Sequence, residues 1–91
     1  MSSRPAETLV ALATQEGTVL FARSQAKRVM ARCGQSRNVT LDCSGVETIG
    51  PAFADEIFRV YANAHPEIEL RWVNAVPEVE GRIRHARSHA S

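Results

Sequence analysis

Two rhythms of apolar and polar residues alternate along this chain of 91 residues. Period two marks strands, and a period near 3.6 marks helices buried on one side. Thr8-Leu9-Val10-Ala11-Leu12-Ala13 is an apolar run closed by Thr14-Gln15-Glu16-Gly17, and Thr18-Val19-Leu20-Phe21 follows directly. Two runs separated by a few turn-forming residues including Gly predict a hairpin. The alternative for the first run is a short helix opened by Pro5-Ala6-Glu7 and reaching residue 13, because Leu and Ala favour that state. A helix is predicted from Ser24, its cap, to about Cys33, with Gly34 as its stop. Ala26, Val29, Met30 and Cys33 recur along its buried stripe.

Asn38-Val39-Thr40-Leu41-Asp42-Cys43 alternates between turn residues and reads as a strand, ended by Ser44-Gly45. Val46 to Gly50 connects it to a helix that begins at Pro51, where proline's missing N–H costs nothing. As far as about Ala64, the residues Ala54, Ile57, Phe58, Tyr61 and Ala62 line one apolar face of that helix. Asp55 and Glu56 complement its dipole, and Asp55 with Arg59 forms an i,i+4 pair. His65-Pro66 stops it. Ile68 to Val73 alternates as a further strand, and Val76-Pro77 opens a last helix with Val79, Ile83 and Ala86 on its apolar side. Residues 1–5 and 88–91 are expected as frayed tails. The order β-β-α-β-α-β-α predicts a single α/β domain over residues 1–91. Its mixed sheet would carry mostly parallel later strands, joined by right-handed crossovers and packed by helices.

Composition narrows the function more than the fold. Hydrophobic residues at 44% and charged residues at 23% are ordinary for a globular domain. A net charge of +1 gives no overall field for capturing nucleic acid or an anionic membrane. No apolar stretch approaches the ~20 residues that span a bilayer. Met1-Ser2-Ser3-Arg4-Pro5 lacks the apolar core of a signal peptide, so the expected location is cytoplasmic. Cys33 and Cys43 form no CxxC pair, and they are expected as buried structural thiols. Lys27, Arg28 and Arg32 make a positive helix side, either a solvated surface or a contact for an acidic partner or phosphate.

Candidate chemistry is sparse. There is no Gly-rich phosphate loop. His65, His85 and His89 are scattered, and the His85/His89 pair brings too few ligands for a metal. Ser24 and Ser44 sit on no nucleophile elbow. Neither a catalytic residue, a metal nor a cofactor is expected. Asp42 ends a strand on the side where α/β ligand sites form. It either orients a ligand or only bonds the backbone of the following Ser44-Gly45 turn.

The stretch from Val39 through Leu41-Asp42-Cys43-Ser44-Gly45-Val46, Ile49-Gly50 and Phe53-Ala54-Asp55-Glu56-Ile57-Phe58-Arg59-Val60 closely resembles the STAS-like domain family of unknown function. Ala22 to Arg28 and Val73-Asn74-Ala75 extend the likeness over residues 18 to about 86. More distantly, Asp42-Cys43-Ser44-Gly45-Val46 before a helix start is similar to bacterial anti-sigma factor antagonists. That resemblance implies signalling or transcriptional regulation, by docking on an ATPase of the histidine-kinase type. The docking surface it implies comprises Thr48, Gly50, Pro51, Ala52, Phe53, Asp55, Glu56 and Arg59. Those antagonists carry a phosphorylated serine at the helix start, whereas Gly50-Pro51-Ala52-Phe53 holds no hydroxyl, so the switch is not expected here. Phe53 is open to two readings, an exposed contact aromatic or a core residue packed under the first hairpin. The alternative function is an anion or nucleotide sensor, using the N–H groups of Ala52, Phe53 and Ala54 with Asp42 and Ser44. A homo-oligomer joined through an exposed sheet edge is a further possibility.

Overall fold

In the computed structural model, which describes residues 7–33 and 36–88, the strands find their partners across the sequence rather than next door. β1 (Glu7–Ala11) pairs in parallel with β3 (Asn38–Asp42), which pairs in parallel with β5 (Glu69–Val73). The three form one sheet in the order β1-β3-β5, and the register places Leu9, Thr40 and Arg71 in one row. A second, two-stranded sheet joins β2 (Val19–Leu20) to β4 (Thr48–Ile49), again in parallel. This is the α/β architecture the periodicity predicts, with two corrections. The first two strands do not form a hairpin: Thr14-Gln15-Glu16 lies in a short helix, α1 (Leu12–Glu16). Gly17 ends α1 at φ 94° while its N–H donates to the Ala13 carbonyl at 3.0 Å. A positive φ is open to Gly at no steric cost, so the same residue serves a helix stop as well as a hairpin turn. Residues 5 and 6 of the alternative helix lie outside the described residues, and Glu7 is already strand. Thr48-Ile49, expected as connection, is β4.

Three helices cover one face of the larger sheet. In α2 (Arg23–Ala31), Ala26, Val29 and Met30 are buried as the stripe predicted, and Cys33 follows them into the core. Ser24 lies inside this helix and does not cap it. Gln25 reaches back instead, its Oε1 accepting the N–H groups of Phe21 and Ala22 at 3.0 and 2.9 Å. That satisfies two donors near the helix start that no preceding hydroxyl can reach. The expected stop at Gly34 lies outside the described residues. α3 (residues 51–64) runs as Pro51–Asp55 in α geometry, Glu56–Tyr61 in π geometry and Ala62–Ala64 in α geometry again. Phe53, Ala54, Ile57 and Phe58 turn inward from it. α4 (Pro77–Ser88) buries Val79, Ile83 and Ala86, and Ser88, expected in the tail, is its last residue. His89 lies outside the described residues.

The core follows from the alternation. Val10, Val39, Leu41 and Leu70 face the helices, while Glu7, Leu9, Ala11, Glu69, Arg71 and Val73 face away and are exposed. Parallel sheets ordinarily have both faces covered, yet among the described residues no helix lies on this second face. Phe58 meets Trp72 edge to face at 5.8 Å, tying α3 to β5.

Candidate functional site

The corner where β4 gives way to α3 is built around a glycine. Gly50 is buried, and its N–H donates to the Leu20 carbonyl at 2.8 Å, holding the end of β4 against β2. A Cβ placed on Gly50 would lie 2.7 Å from Cδ1 of Phe21 and 3.4 Å from its Cα. With no Cβ, glycine lets the Phe21 ring close onto the backbone here, and any larger residue would have to displace the ring. Phe21 is 55% exposed, although large aromatics usually find cover. It follows Val19 by two positions, and both side chains stand on the outer side of β2 while Leu20 between them is fully buried. Thr48 pairs with Val19 across the ladder, and its Oγ1 donates to Glu78 of α4 at 3.3 Å. Pro51, the first residue of α3, is exposed beside them.

A charged cluster adjoins this apolar corner. Arg23 reaches from the start of α2 to Asp55 at 3.0 Å and Glu56 at 3.2 Å, pinning α2 to α3. Asp55 also accepts from Arg59 one turn on, with Nη2 to Oδ2 at 2.9 Å. The Arg59 guanidinium, opposed by partial burial and helped by Arg23, holds the Asp55 carboxyl down at about 2. Glu56 completes the cluster, paired with Arg23 and close enough for its charge to act on Arg59. Between α3 and α4 a cleft of about 530 Å³ opens, floored by Pro51, Ala52, Ala54 and Ala86 and edged by Arg23, Asp55, Arg82 and His85.

The predicted contact residues thus separate into two groups. Thr48, Pro51, Ala52, Asp55, Glu56 and Arg59 reach the surface at this corner. Phe53 and Gly50 do not, and both are corrections: Phe53 is 1% exposed, packed in the core with Leu20, Ile49 and Ile57, and no side chain of a partner can reach it. The aromatic that sequence reasoning missed is Phe21. Its signal was the alternation Val19-Leu20-Phe21, which puts residues 19 and 21 on one side.

Of the anion site expected from Ala52, Phe53, Ala54, Asp42 and Ser44, the Ala54 N–H and the Asp42 carboxylate already have partners within the chain. The Ala54 N–H already donates to the Gly50 carbonyl at 3.1 Å. Asp42 Oδ1 accepts the Ser44 N–H at 3.0 Å, the Ser44 hydroxyl at 2.8 Å and the Asn74 side-chain amide at 3.1 Å. Those three donors, Asn74 foremost, hold the Asp42 carboxyl below its usual range. Asp42 therefore closes its own turn, where Gly45 adopts φ 82°, and fastens β3 to the end of β5. Burial pushes the Cys43 thiol up to about 11, aided by the charge of Asp42, and burial also raises Cys33 against the opposing charge of Arg32, so both lie as thiols within the core. Among the described residues no group of three or more His, Cys, Asp and Glu is placed to hold a metal ion. None of their helices is long and apolar enough to cross a membrane.

A domain of alternating strands and helices with an exposed apolar corner at a strand-to-helix junction is the class these features define. Residues 25–80 match the family model of the STAS-like domain of unknown function (DUF4325), and the chain belongs to that family. Neither curated proteins nor solved structures give a match.

Proposed function

We propose that this domain is a non-catalytic regulatory module that docks another protein on the corner formed by β2, β4 and the start of α3. The observation that carries this reading is Phe21, an aromatic held in the open over Gly50 beside exposed Val19 and Pro51. An apolar centre ringed by Arg23, Asp55, Glu56 and Arg59 has the composition of an interface, apolar within and polar at its rim. The adjoining cleft between α3 and α4 has room for one anchoring side chain. By the resemblance to anti-sigma factor antagonists, the partner is an ATPase of the histidine-kinase type. A phosphoserine switch is no part of the proposal, since residues 50–53 hold no hydroxyl.

Affinity capture from native extract, comparing wild type with Phe21→Ala and with the double reversal Asp55→Lys and Glu56→Lys, tests the reading. The expected result is one partner retained by wild type and lost with Phe21→Ala, whose melting curve stays in place. A histidine-kinase-type ATPase among the captured proteins supports the finer proposal. Unchanged capture by Phe21→Ala overturns the docking surface.

A further inference from the structure

The three arginines of α4 meet different surroundings. Arg84 donates to Glu80 through Nε and Nη2 at 3.1 and 2.6 Å. Arg87 donates to the Leu70 carbonyl at 3.4 Å, with its guanidinium 5.3 Å from the centre of the Trp72 ring. Arg82 has neither a hydrogen bond nor an ion pair among the described residues. Glu78, one turn before it, is the acid that helical spacing would offer, but its Oε2 is turned to the Thr48 hydroxyl at 3.3 Å. Lys27 and Arg32 also lack hydrogen bonds and ion pairs among the described residues, but both are exposed, whereas Arg82 is partly buried. A guanidinium carries five N–H donors, and covering it without an acceptor is unfavourable.

Arg82 edges the cleft between α3 and α4, whose volume is about 530 Å³ and whose floor is Pro51, Ala52, Ala54 and Ala86. Across the cleft, Arg23 and Arg59 are matched by Asp55 and Glu56, two cations against two carboxylates in one bonded cluster. Arg82 therefore leaves one positive charge uncompensated beside an apolar floor. Its complement is an apolar group that carries a single carboxylate, because the planar fork of a guanidinium matches a carboxylate through two parallel bonds. A dianionic phosphate would bring a second charge that one guanidinium leaves unmatched.

We propose that the protein docked on this corner seats an acidic anchor in the cleft: an apolar side chain on Pro51, Ala52, Ala54 and Ala86, with the carboxylate of a neighbouring Asp or Glu paired to Arg82. This anchor rests on the docking surface proposed above and specifies what the partner carries there. Pro51 joins the two surfaces, since it follows Gly50, on which Phe21 lies, and also floors the cleft. Burial of the apolar group supplies affinity, and the ion pair fixes its register.

Affinity capture with Arg82→Glu, beside wild type and Phe21→Ala, tests it together with NMR titration of 3-phenylpropanoate, a probe that needs no partner. Arg82 holds nothing within the described fold, so Arg82→Glu and Arg82→Gln are expected to leave the melting temperature in place. Arg82→Glu is expected to lose the partner that wild type retains. The probe is expected to shift the signals of Ala52, Ala86 and the Arg82 Nε–H, and Arg82→Gln to weaken it by about fivefold or more. Capture lost with Phe21→Ala but kept in full by Arg82→Glu overturns the acidic anchor and leaves the docking surface standing. Capture kept by both variants overturns the docking surface and the anchor with it. A carboxylate probe that shifts nothing, or whose amide, 3-phenylpropanamide, binds as tightly, overturns the anchor as well.

Discussion

Phe21 and Phe53 flank the same corner of the chain, where β4 gives way to α3, and they meet opposite surroundings. Phe53 is sealed among Leu20, Ile49 and Ile57, whereas Phe21 lies over Gly50 with more than half its surface open. Both are conspicuous in the sequence, and nothing in residue type separates them. What separates them is geometry. Phe53 is the third residue of a helix whose inward stripe begins with it, and Phe21 is the first residue after β2, exposed in the short link to α2. The same residue type thus serves stability on one side of the corner and is available for recognition on the other. A buried ring yields its full transfer free energy to folding, while an exposed one keeps that gain for a partner.

The widest separation between the two is expected in stability. Phe53→Ala removes a ring from a closed core and is expected to cost about 3–5 kcal/mol, a large share of the ~5–15 kcal/mol that holds a domain together. Phe21→Ala takes an exposed ring from the surface and is expected to stay within about 0.5 kcal/mol of wild type. Urea denaturation of the two variants side by side measures the difference. Equal midpoints would mean that the two aromatics share one environment and would dissolve the comparison.

How much of this was legible beforehand depends on whether the signal is local. The burial of Ala26, Val29, Met30, Ile57, Phe58, Val79 and Ile83 could be read from helical spacing, because each helix carries its own pattern. β3 and β5 alternate and are bounded by turn residues, and they were equally plain. β2 and β4 are two residues each, too short for any period, and β1 takes its partner from residues 38–42 rather than from the run that follows it. Parallel pairing leaves no trace in neighbouring sequence, so the adjacent runs suggested a hairpin where α1 intervenes. The candidate site divides in the same way. Spacing put Asp55, Glu56 and Arg59 off the apolar stripe, and the resemblance assigned them to the candidate site. The contact of Phe21 with Gly50 joins residues 29 positions apart, and no local rule foretells it. The resemblance to anti-sigma factor antagonists pointed to this corner as an expectation and named Phe53, whereas the aromatic exposed there is Phe21.

A smaller effect is expected at the glycine that joins the two sides. Gly50→Ala puts a methyl group into contact with the Phe21 ring, 2.7 Å from Cδ1 in the present geometry. The ring has solvent on its other side and swings away, while the lost backbone freedom of the unfolded chain offsets part of the strain. The net change in stability is expected within about 1 kcal/mol. If the corner docks a partner as proposed, the displaced ring alters its surface more than the fold, and partner capture is expected to fall while the melting curve barely moves. Ring contacts between Phe21 and residue 50, followed by nuclear Overhauser effects, report the displacement directly. A variant that keeps both ring position and capture would show that the corner tolerates a side chain and that its glycine is incidental.

The smallest effect is electrostatic and belongs to the rim. Asp55 is held at about 2 against an ordinary 3.8, first by Arg59 and then by Arg23, with partial burial opposing them. A carboxyl whose folded value is depressed stabilises the fold above its unfolded value and loses that contribution as pH falls through the folded one. The difference between wild type and Asp55→Asn should therefore be constant above about pH 5 and shrink between about 4 and 2. Its size is expected below about 1 kcal/mol, because Arg23 and Arg59 are both nearly half exposed and water and salt screen them. Carboxyl NMR titration measures the midpoint of Asp55 directly, and Arg59→Gln should raise it more than Arg23→Gln does. If removing Arg23 gave the larger rise, the link between α2 and α3 would dominate the cluster. The rim would then be a strut beneath Phe21 rather than a charge pattern offered to a partner.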